Sequence, residues 1–507
     1  MTGLTSALAG GNSSGDSAKL DELLQRINQL AGNSPGASAG AEVVAAPPAK
    51  PAASASLPEP NAAATSASQA VNNKVPQSFA KITGDSEEPF IPNVPGSLRE
   101  AGIGEGLVEE LIMRYLLSKG EAPGRMIADQ IKLPFRLLEP ILNRLKYEQM
   151  TAYRGANSLH DYTHILTDQG MDRARRYLLR TTYFGAAPVP LEQYCQAVKM
   201  QSVEGQSPGP QDLARAFKDL LIDRKMFGRL GPAINSGKGM FLYGYPGNGK
   251  TSIAERVTQA FGKYIWIPRS IIIEGEIMRL FDPLMHQEED STPANVSPFE
   301  ESKFDKRWVR VRRPTIVAGG ELTMDMLEVR KDHTTNISEA PLQLKSNCGV
   351  LLIDDFGRQK MRVDELLNRW IVPLEKRYDY LNLCSGKKTQ VPFDQLVIFS
   401  TNLQPKDLVD DAFLRRIPYK IEVPNPSEEA FRKLFEIMCP KIGLPYQPES
   451  INYLVEKHYR ANGRPFRNCH PRDLLLQVRN YCLYHKYPLE LRIDYLDFAC
   501  ENYFSIM

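Results

Sequence analysis

Apolar residues change their spacing several times along the chain, and each change marks a segment. Between Asp16 and Ala31, Leu20, Leu23, Leu24, Ile27 and Leu30 recur at helical spacing behind Ser17, a residue suited to an N-cap. This predicts an amphipathic helix over 17–31. Two readings of it stay open: a transient helix in a flexible tail, or a docking helix that folds on a partner or neighbouring subunit. The rest of residues 1–95 lacks such a pattern. Residues 31–70 hold 15 Ala, 6 Ser, 6 Pro and 3 Gly. So few large apolar side chains cannot offset the entropy of ordering, and the tail is expected to be disordered.

Helical spacing returns at Leu107–Leu117, Arg125–Ile131 and Leu133–Gln149, with Pro140 restricting the first turns of the third helix. Short strand patterns follow at Met150–Arg154 and Tyr162–Leu166, then a helix from Asp168 to Leu179. Three helices and a hairpin over 98–185 resemble a winged helix, and Leu166-Thr-Asp-Gln-Gly170 resembles the turn that closes many such domains. Over 107–180, 12 Lys/Arg stand against 9 Asp/Glu, and the third helix carries Arg136, Arg144 and Lys146. That positive footprint is thin, so a protein-interaction or structural role is expected ahead of DNA contact. Pro188, Pro190, Pro208 and Pro210 make 186–210 read as a linker. Residues 211–425 alternate apolar strands with helices, the pattern of an α/β domain with a parallel sheet. Residues 426–507 offer helices only, at Ser427–Met438, Glu449–Tyr459, Arg472–His485 and Ile493–Tyr503.

Charge and composition narrow the class. Sixty-two Lys/Arg against 60 Asp/Glu give +2, which argues against a protein whose main task is coating nucleic acid or an anionic membrane. No apolar run approaches the ~18 residues of a membrane span, and no basic-then-apolar signal opens the chain. Seven scattered cysteines without a Cys-x-x-Cys pair give neither a disulfide framework nor a zinc knuckle. The expected location is cytoplasmic.

The chemistry lies in two motifs. Met240–Tyr243 is an apolar strand that runs into Gly244-Tyr-Pro-Gly-Asn-Gly-Lys-Thr251 and then a helix, Ser252–Phe261. This is a Walker A phosphate loop in its strand–loop–helix context. Gly244, Gly247 and Gly249 let backbone amides turn inward around phosphate oxygens. Pro246, Asn248 and Ser252 complete the candidate nucleotide-binding set. Lys250 places a point charge on the β- and γ-phosphates, Thr251 offers a hydroxyl to Mg²⁺, and the helix N-terminus adds its partial positive charge. Val350–Ile353 is a buried strand ending in Asp354 and Asp355. Asp354 is the candidate Mg²⁺ holder, largely through water, and Asp355 the candidate base that orients and deprotonates the attacking water.

Together with Phe399-Ser-Thr-Asn402, Ala412-Phe-Leu-Arg-Arg416 and Pro471-Arg-Asp473, these motifs resemble the AAA+ ATPases in order and spacing over 211–507. The resemblance implies a P-loop parallel-sheet domain with a C-terminal helical lid, using ATP and Mg²⁺. It implies that Asn402 is sensor 1, reading the γ-phosphate, and that Arg415 or Arg416 is the arginine finger reaching a neighbour's ATP, with Arg416 preferred. It makes Arg472 sensor 2, the lid arginine. An arginine acting in trans implies a homo-oligomeric ring, a hexamer for preference. Many AAA+ proteins carry Glu after the Walker B Asp; Asp355 is one methylene shorter, as in members resembling helicase loaders and replication initiators, so fast hydrolysis is not implied. Leu381–Phe393, with its turn at Ser385-Gly386, reads as a hairpin between the helix after Walker B and the sensor 1 strand. That position resembles the pre-sensor hairpin of MoxR-type remodelling ATPases. The surrounding text resembles a bacterial group described as predicted ATPases with chaperone activity.

Lys250 and Asp354 are 104 positions apart, long for that family. The extra material around 281–345 includes the acidic Glu288-Glu-Asp290, the alternating Trp308-Val-Arg-Val-Arg-Arg313 and Gly319-Gly-Glu-Leu322. The core sheet is expected to be complete without it, so the insertion is expected to face a substrate or neighbour; Arg310 and Arg312 share one strand face, with a solvated or subunit-facing reading favoured over a phosphate-facing one. No aromatic-hydrophobic-Gly pore loop follows the strand Tyr264–Ile267; the candidate segment there, Pro268–Ile273, is apolar without that signature, which argues against a threading unfoldase. The favoured function is ATP-driven, chaperone-like remodelling of an unidentified protein client. The alternatives are a DNA-acting loader or transposition helper, with DNA contact through 98–185, and a nucleotide-dependent scaffold of a secretion or pilus apparatus.

Overall fold

A computed structural model describes residues 90–156, 161–204, 206–289, 303–409 and 411–505. They lie in Lys74–Met507, one of two compact units of the chain. The expected helix at 17–31 and the expected disordered tail up to residue 89 lie outside the described residues. The described residues begin before the expected boundary at 95, and Phe90 is buried edge-on against Trp308, with ring centroids 5.3 Å apart.

The N-terminal elements follow the periodicity closely. Helices span Glu105–Lys119, Gly124–Ile131, Phe135–Tyr147 and Asp168–Leu178. Strands Thr151–Ala156 and Tyr162–Leu166 pair antiparallel, and Glu121–Pro123 adds a third strand on the other side of Tyr162–Leu166. Ala122, Leu111, Ile112, Ile127, Leu138 and Leu142 meet in one apolar core. Thr167 caps the last helix by accepting from the Gly170 amide at 3.1 Å.

The central sheet has five parallel strands: β1 Met240–Tyr243, β2 Thr315–Ala318, β3 Val350–Ile353, β4 Leu396–Thr401 and β5 Tyr419–Glu422. Their spatial order is β2-β3-β4-β1-β5. Such strands are buried on both faces, which is why they read as continuous apolar runs. Every residue of β3 and β4 is buried. Helix α1, Lys250–Val257, packs on one face through Ile253, Ala254 and Val257. Helix α2, Val363–Lys376, packs on the other through Leu366, Trp370 and Leu374.

One expectation is overturned here. The insertion is not dispensable to the sheet, because β2 comes from inside it. Tyr264–Pro268 leaves the parallel sheet and pairs antiparallel with Trp308–Arg312. After the turn at Arg313-Pro314 the chain enters the edge of the sheet as β2, hydrogen-bonded to β3. The buried Arg313 guanidinium holds that turn by donating to the carbonyls of Gly262, Gln201 and Cys348.

A second β layer surrounds this insertion. Ser270–Ile273 and Glu276–Arg279 pair antiparallel within a five-stranded sheet. The candidate segment Pro268–Ile273 therefore includes a strand whose Ile271 and Ile273 are buried. The connector expected over 186–210 likewise carries structure: Val189–Pro190 pairs with Ile271–Ile272, and Leu191–Met200 is a helix. The hairpin expected around Ser385-Gly386 is present as Tyr378–Asn382 and Lys388–Pro392. Leu381, Leu383 and Val391 bury themselves against Ile271, Ile273 and Met278, and the hairpin tip is tied to that layer by Ser385 N to Glu276 at 2.8 Å.

The C-terminal residues are helical throughout: Glu428–Ile442, Pro448–Leu454 continuing as a π-helical turn to Arg460, α3 His470–His485, and Ile493–Phe504. Phe431, Phe435, Leu454, Leu474 and Leu496 share their core. No described helix is long and apolar enough to cross a membrane, and all seven cysteines are free thiols.

Candidate functional site

The phosphate loop leaves β1 at its C-terminal end and enters α1, whose N-cap is Gly249. Two of its glycines cannot be replaced at the observed geometry. A Cβ on Gly244 would stand 2.4 Å from the Val423 carbonyl, and one on Gly247, at φ +83°, would stand 2.4 Å from Cys469 Sγ. Asn248 is buried and donates to Asn425 Oδ1 at 2.8 Å. Pro246 is exposed, and Ser252 is half-buried in the first turn of α1.

Five of the expected side chains meet in one place. Lys250 Nζ is folded back onto the loop, donating to the carbonyls of Gly244 at 2.9 Å and Tyr245 at 3.1 Å, and to Asn402 Oδ1 at 2.7 Å. Burial lowers its proton affinity, while Asp354 and Asp355 raise it. Asn402 Nδ2 donates to Asp355 Oδ1 at 3.1 Å, so one amide spans the lysine and the acid. Asp355, two residues past the end of β3, has φ +49°, a left-handed conformation uncommon for a residue with a side chain. Its amide donates to Asp354 Oδ1 at 3.0 Å. Thr251 Oγ1 donates to Asp354 Oδ2 at 2.7 Å. Neighbouring ligands of an octahedral Mg²⁺, at ~2.1 Å from the metal, stand about 3 Å apart. The hydroxyl and carboxylate oxygens therefore fit one edge of such a site.

The arginines are distributed differently. Arg416 is half-buried, with Nε 3.5 Å from Glu375 Oε2. Arg415 is exposed and makes no ion pair to another described residue. Arg472, near the start of α3, is exposed and paired with Asp473 at 3.0 Å, without contact to the phosphate loop. The loop is instead met by Arg467, Asn468 and Cys469. Arg467 Nη1 donates to the Pro246 carbonyl at 3.3 Å, the Cys469 amide to the Gly247 carbonyl at 2.9 Å, and Asn468 Nδ2 to the Asn248 carbonyl at 3.0 Å. No motif marks these three residues, and they are about 220 positions from their partners.

Away from this site the basic residues are largely occupied. Arg144 is held by Glu105, Glu109 and Glu148, and Arg136 donates to the Pro95 carbonyl. Lys146 lies 4.0 Å over the Tyr153 ring, itself stacked on Tyr162. Arg310 stacks on Tyr264, Arg312 pairs with Glu289, and Arg269 pairs with Glu288 at 2.7 Å. The acidic and basic runs of the insertion thus neutralise each other in part.

A domain of unknown function (DUF8689) matches residues 427–502. No curated protein matches. Among solved structures, NtrX from Brucella abortus in complex with ADP is similar at 13% identity and TM-score 0.34, covering 56% of each chain. A mutant RuvB from Thermotoga maritima is similar at 13% identity and TM-score 0.31, covering 61% of this chain and 74% of that one. The BchI–BchD complex of magnesium chelatase gives 16% identity and TM-score 0.29, over 59% and 96%. All three likenesses are weak, with low identity and low TM-score.

Proposed function

We propose that the protein is an ATP-hydrolysing AAA+ machine, acting as a cytoplasmic, ring-forming, chaperone-like remodeller of protein assemblies. The observation that carries the ATPase reading is the meeting of Lys250, Thr251, Asp354, Asp355 and Asn402 through bonds of 2.7–3.1 Å. Lys250 exchanges the carbonyls of Gly244 and Tyr245 for the β- and γ-phosphate oxygens, and the amides of 247–252 surround the phosphates. Thr251 and, largely through water, Asp354 would hold Mg²⁺, which when bound would supply charge neutralisation across the phosphates. Asp355 orients the attacking water and accepts its proton, with Asn402 fixing the carboxylate. Positioning and charge account for the catalysis, because phosphoryl transfer needs little covalent help.

Arg415 is the side chain free to reach a neighbouring subunit's nucleotide, since Arg416 is engaged with Glu375. The finger is therefore assigned to Arg415 in a homo-oligomeric ring, a hexamer for preference. Arg472 would have to leave Asp473 to act as sensor 2. The winged-helix-like region 98–185 is read as a protein-contact module, supported by the engagement of Arg136 and Arg144 within the chain. A DNA-acting ATPase is the second reading; the Tyr153–Tyr162 stack with Lys146 above it, on the hairpin, favours it. Phosphate release measured with and without double-stranded DNA separates the two. Stimulation by DNA that steepens at low salt overturns the remodeller reading. A rate unaltered by Lys250→Ala overturns both.

A further inference from the structure

Three successive carbonyls of the phosphate loop, those of Pro246, Gly247 and Asn248, all accept hydrogen bonds from Arg467–Cys469. A trans peptide points its C=O and its N–H in opposite directions. Holding these carbonyls on the lid side turns the following amides, of Gly247, Asn248 and Gly249, to the other side. That is the orientation a phosphate-binding nest requires. The grip is close: Cys469 Sγ occupies the space a Cβ on Gly247 would need, and Asn468 also donates its own amide to Asn248 Oδ1 at 3.4 Å. Asn248 is buried, so its carbonyl has little access to water as a substitute partner.

We infer that Arg467–Cys469 forms a brace that holds the phosphate loop in its anion-receiving conformation, with Asn468 as the positioning residue. The brace makes nucleotide affinity depend on docking of the lid. This rests on the phosphate-loop reading above and adds to it a mode of control that acts through the loop backbone. A brace of this kind cannot distinguish ATP from ADP, because it touches neither nucleotide. A lid group acting on the γ-phosphate would distinguish them.

The test uses the full-length chain with Asn468→Ala, and with Arg467→Ala beside Arg467→Lys. Two measurements are made: hydrogen exchange of residues 244–250 without nucleotide, and affinities for fluorescent ADP and a non-hydrolysable ATP analogue. Removing one net hydrogen bond in the brace is expected to weaken ADP and ATP analogue alike by about three- to tenfold. Loop exchange is expected to quicken without nucleotide, and Arg467→Lys to recover part of the loss. Affinities within twofold of the parent together with unchanged loop exchange overturn the brace. A loss confined to the ATP analogue also overturns it, assigning Asn468 to the γ-phosphate. If the parent binds no nucleotide, the function proposal fails, and loop exchange alone decides the brace. Thermal unfolding of each variant within a few degrees of the parent excludes loss of the lid fold as the cause.

Discussion

Replacing Asn402 by alanine separates ground-state binding from chemistry, because Asn402 plays opposite parts in the two. Without nucleotide its carbonyl oxygen holds Lys250 Nζ at 2.7 Å, in competition with phosphate. During hydrolysis its amide would hold the Asp355 carboxylate, 3.1 Å away here. A hydrogen bond to a charged group contributes about 1.5–3 kcal/mol. Lys250 keeps two carbonyl acceptors after the substitution, so only part of that is lost from the unliganded state. Nucleotide binding should therefore stay unchanged or tighten by up to about tenfold, one decade being ~1.4 kcal/mol. Turnover loses a positioned polar group, which costs about 10²- to 10³-fold in kcat at comparable sites. Stopped-flow binding of a fluorescent nucleotide and continuous phosphate release give the two constants. A kcat within threefold of the parent, or a Kd weakened tenfold or more, refutes the assignment of Asn402 to Asp355.

Arg415→Ala should abolish most ATPase activity at ring-forming concentrations while leaving nucleotide affinity near the parent's, and Arg416→Ala should act mainly on stability; mixing Arg415→Ala with Lys250→Ala subunits should restore part of the rate, and no recovery at any ratio removes the in-trans role. Burial first, with Arg467 nearby, pushes His470 from 6.5 down to about 4. A depressed folded pKa gives stability that is complete above about 6.5 and is lost as pH falls towards 4, on the order of 3 kcal/mol in full. The apparent Tm should drop over that window, and a His470→Gln variant with the same slope would rule out this residue as the cause. A Cβ on Gly349 would stand 2.2 Å from the Pro314 carbonyl, which accepts the Val350 amide where β2 meets β3. Gly349→Ala should lower the Tm by several degrees and weaken Mg²⁺-dependent nucleotide binding through Asp354; an unchanged Tm contradicts that packing.

What the sequence made legible is what local chemistry determines. The phosphate loop, the acids ending β3 and Asn402 ending β4 each sit at a strand end, where a short run of residues carries both the structure and the role. The N-terminal helices and hairpin were legible for the same reason, since their periodicity and turns are continuous in the chain. The rest depends on pairing between distant segments. Tyr264–Pro268 and Thr315–Ala318 are both short apolar runs, and nothing local says which of them joins the parallel sheet. Arg415 and Arg416 are adjacent in sequence and differ through Glu375, on α2. Arg467–Cys469 acquire their place from the contact of the C-terminal helical region with the loop.

The origin of β2 changes what the insertion can do. Its last carbonyl, that of Ala318, accepts the amide of Asp354 at 2.9 Å, and Gly320 accepts the amide of Lys360 at 3.0 Å just beyond the acids. The insertion is thus bonded directly to the backbone that presents Asp354, the carboxylate proposed to hold Mg²⁺. At its other end, the buried Arg307 links it to the carbonyls of Ala101 and Pro188, and Tyr183 reaches Ser270 Oγ at 2.9 Å in the second β layer. The hairpin Tyr378–Pro392 shares that layer's core. A slip of β2 by one residue would reverse its faces, exposing Ile316 and Ala318 and burying Val317 against their places. Burial of that face therefore pins the register of β2 against β3. The Ala318–Asp354 hydrogen bond is accordingly the last link of a bonded path that runs from the N-terminal helical region and the hairpin layer to the strand end carrying Asp354.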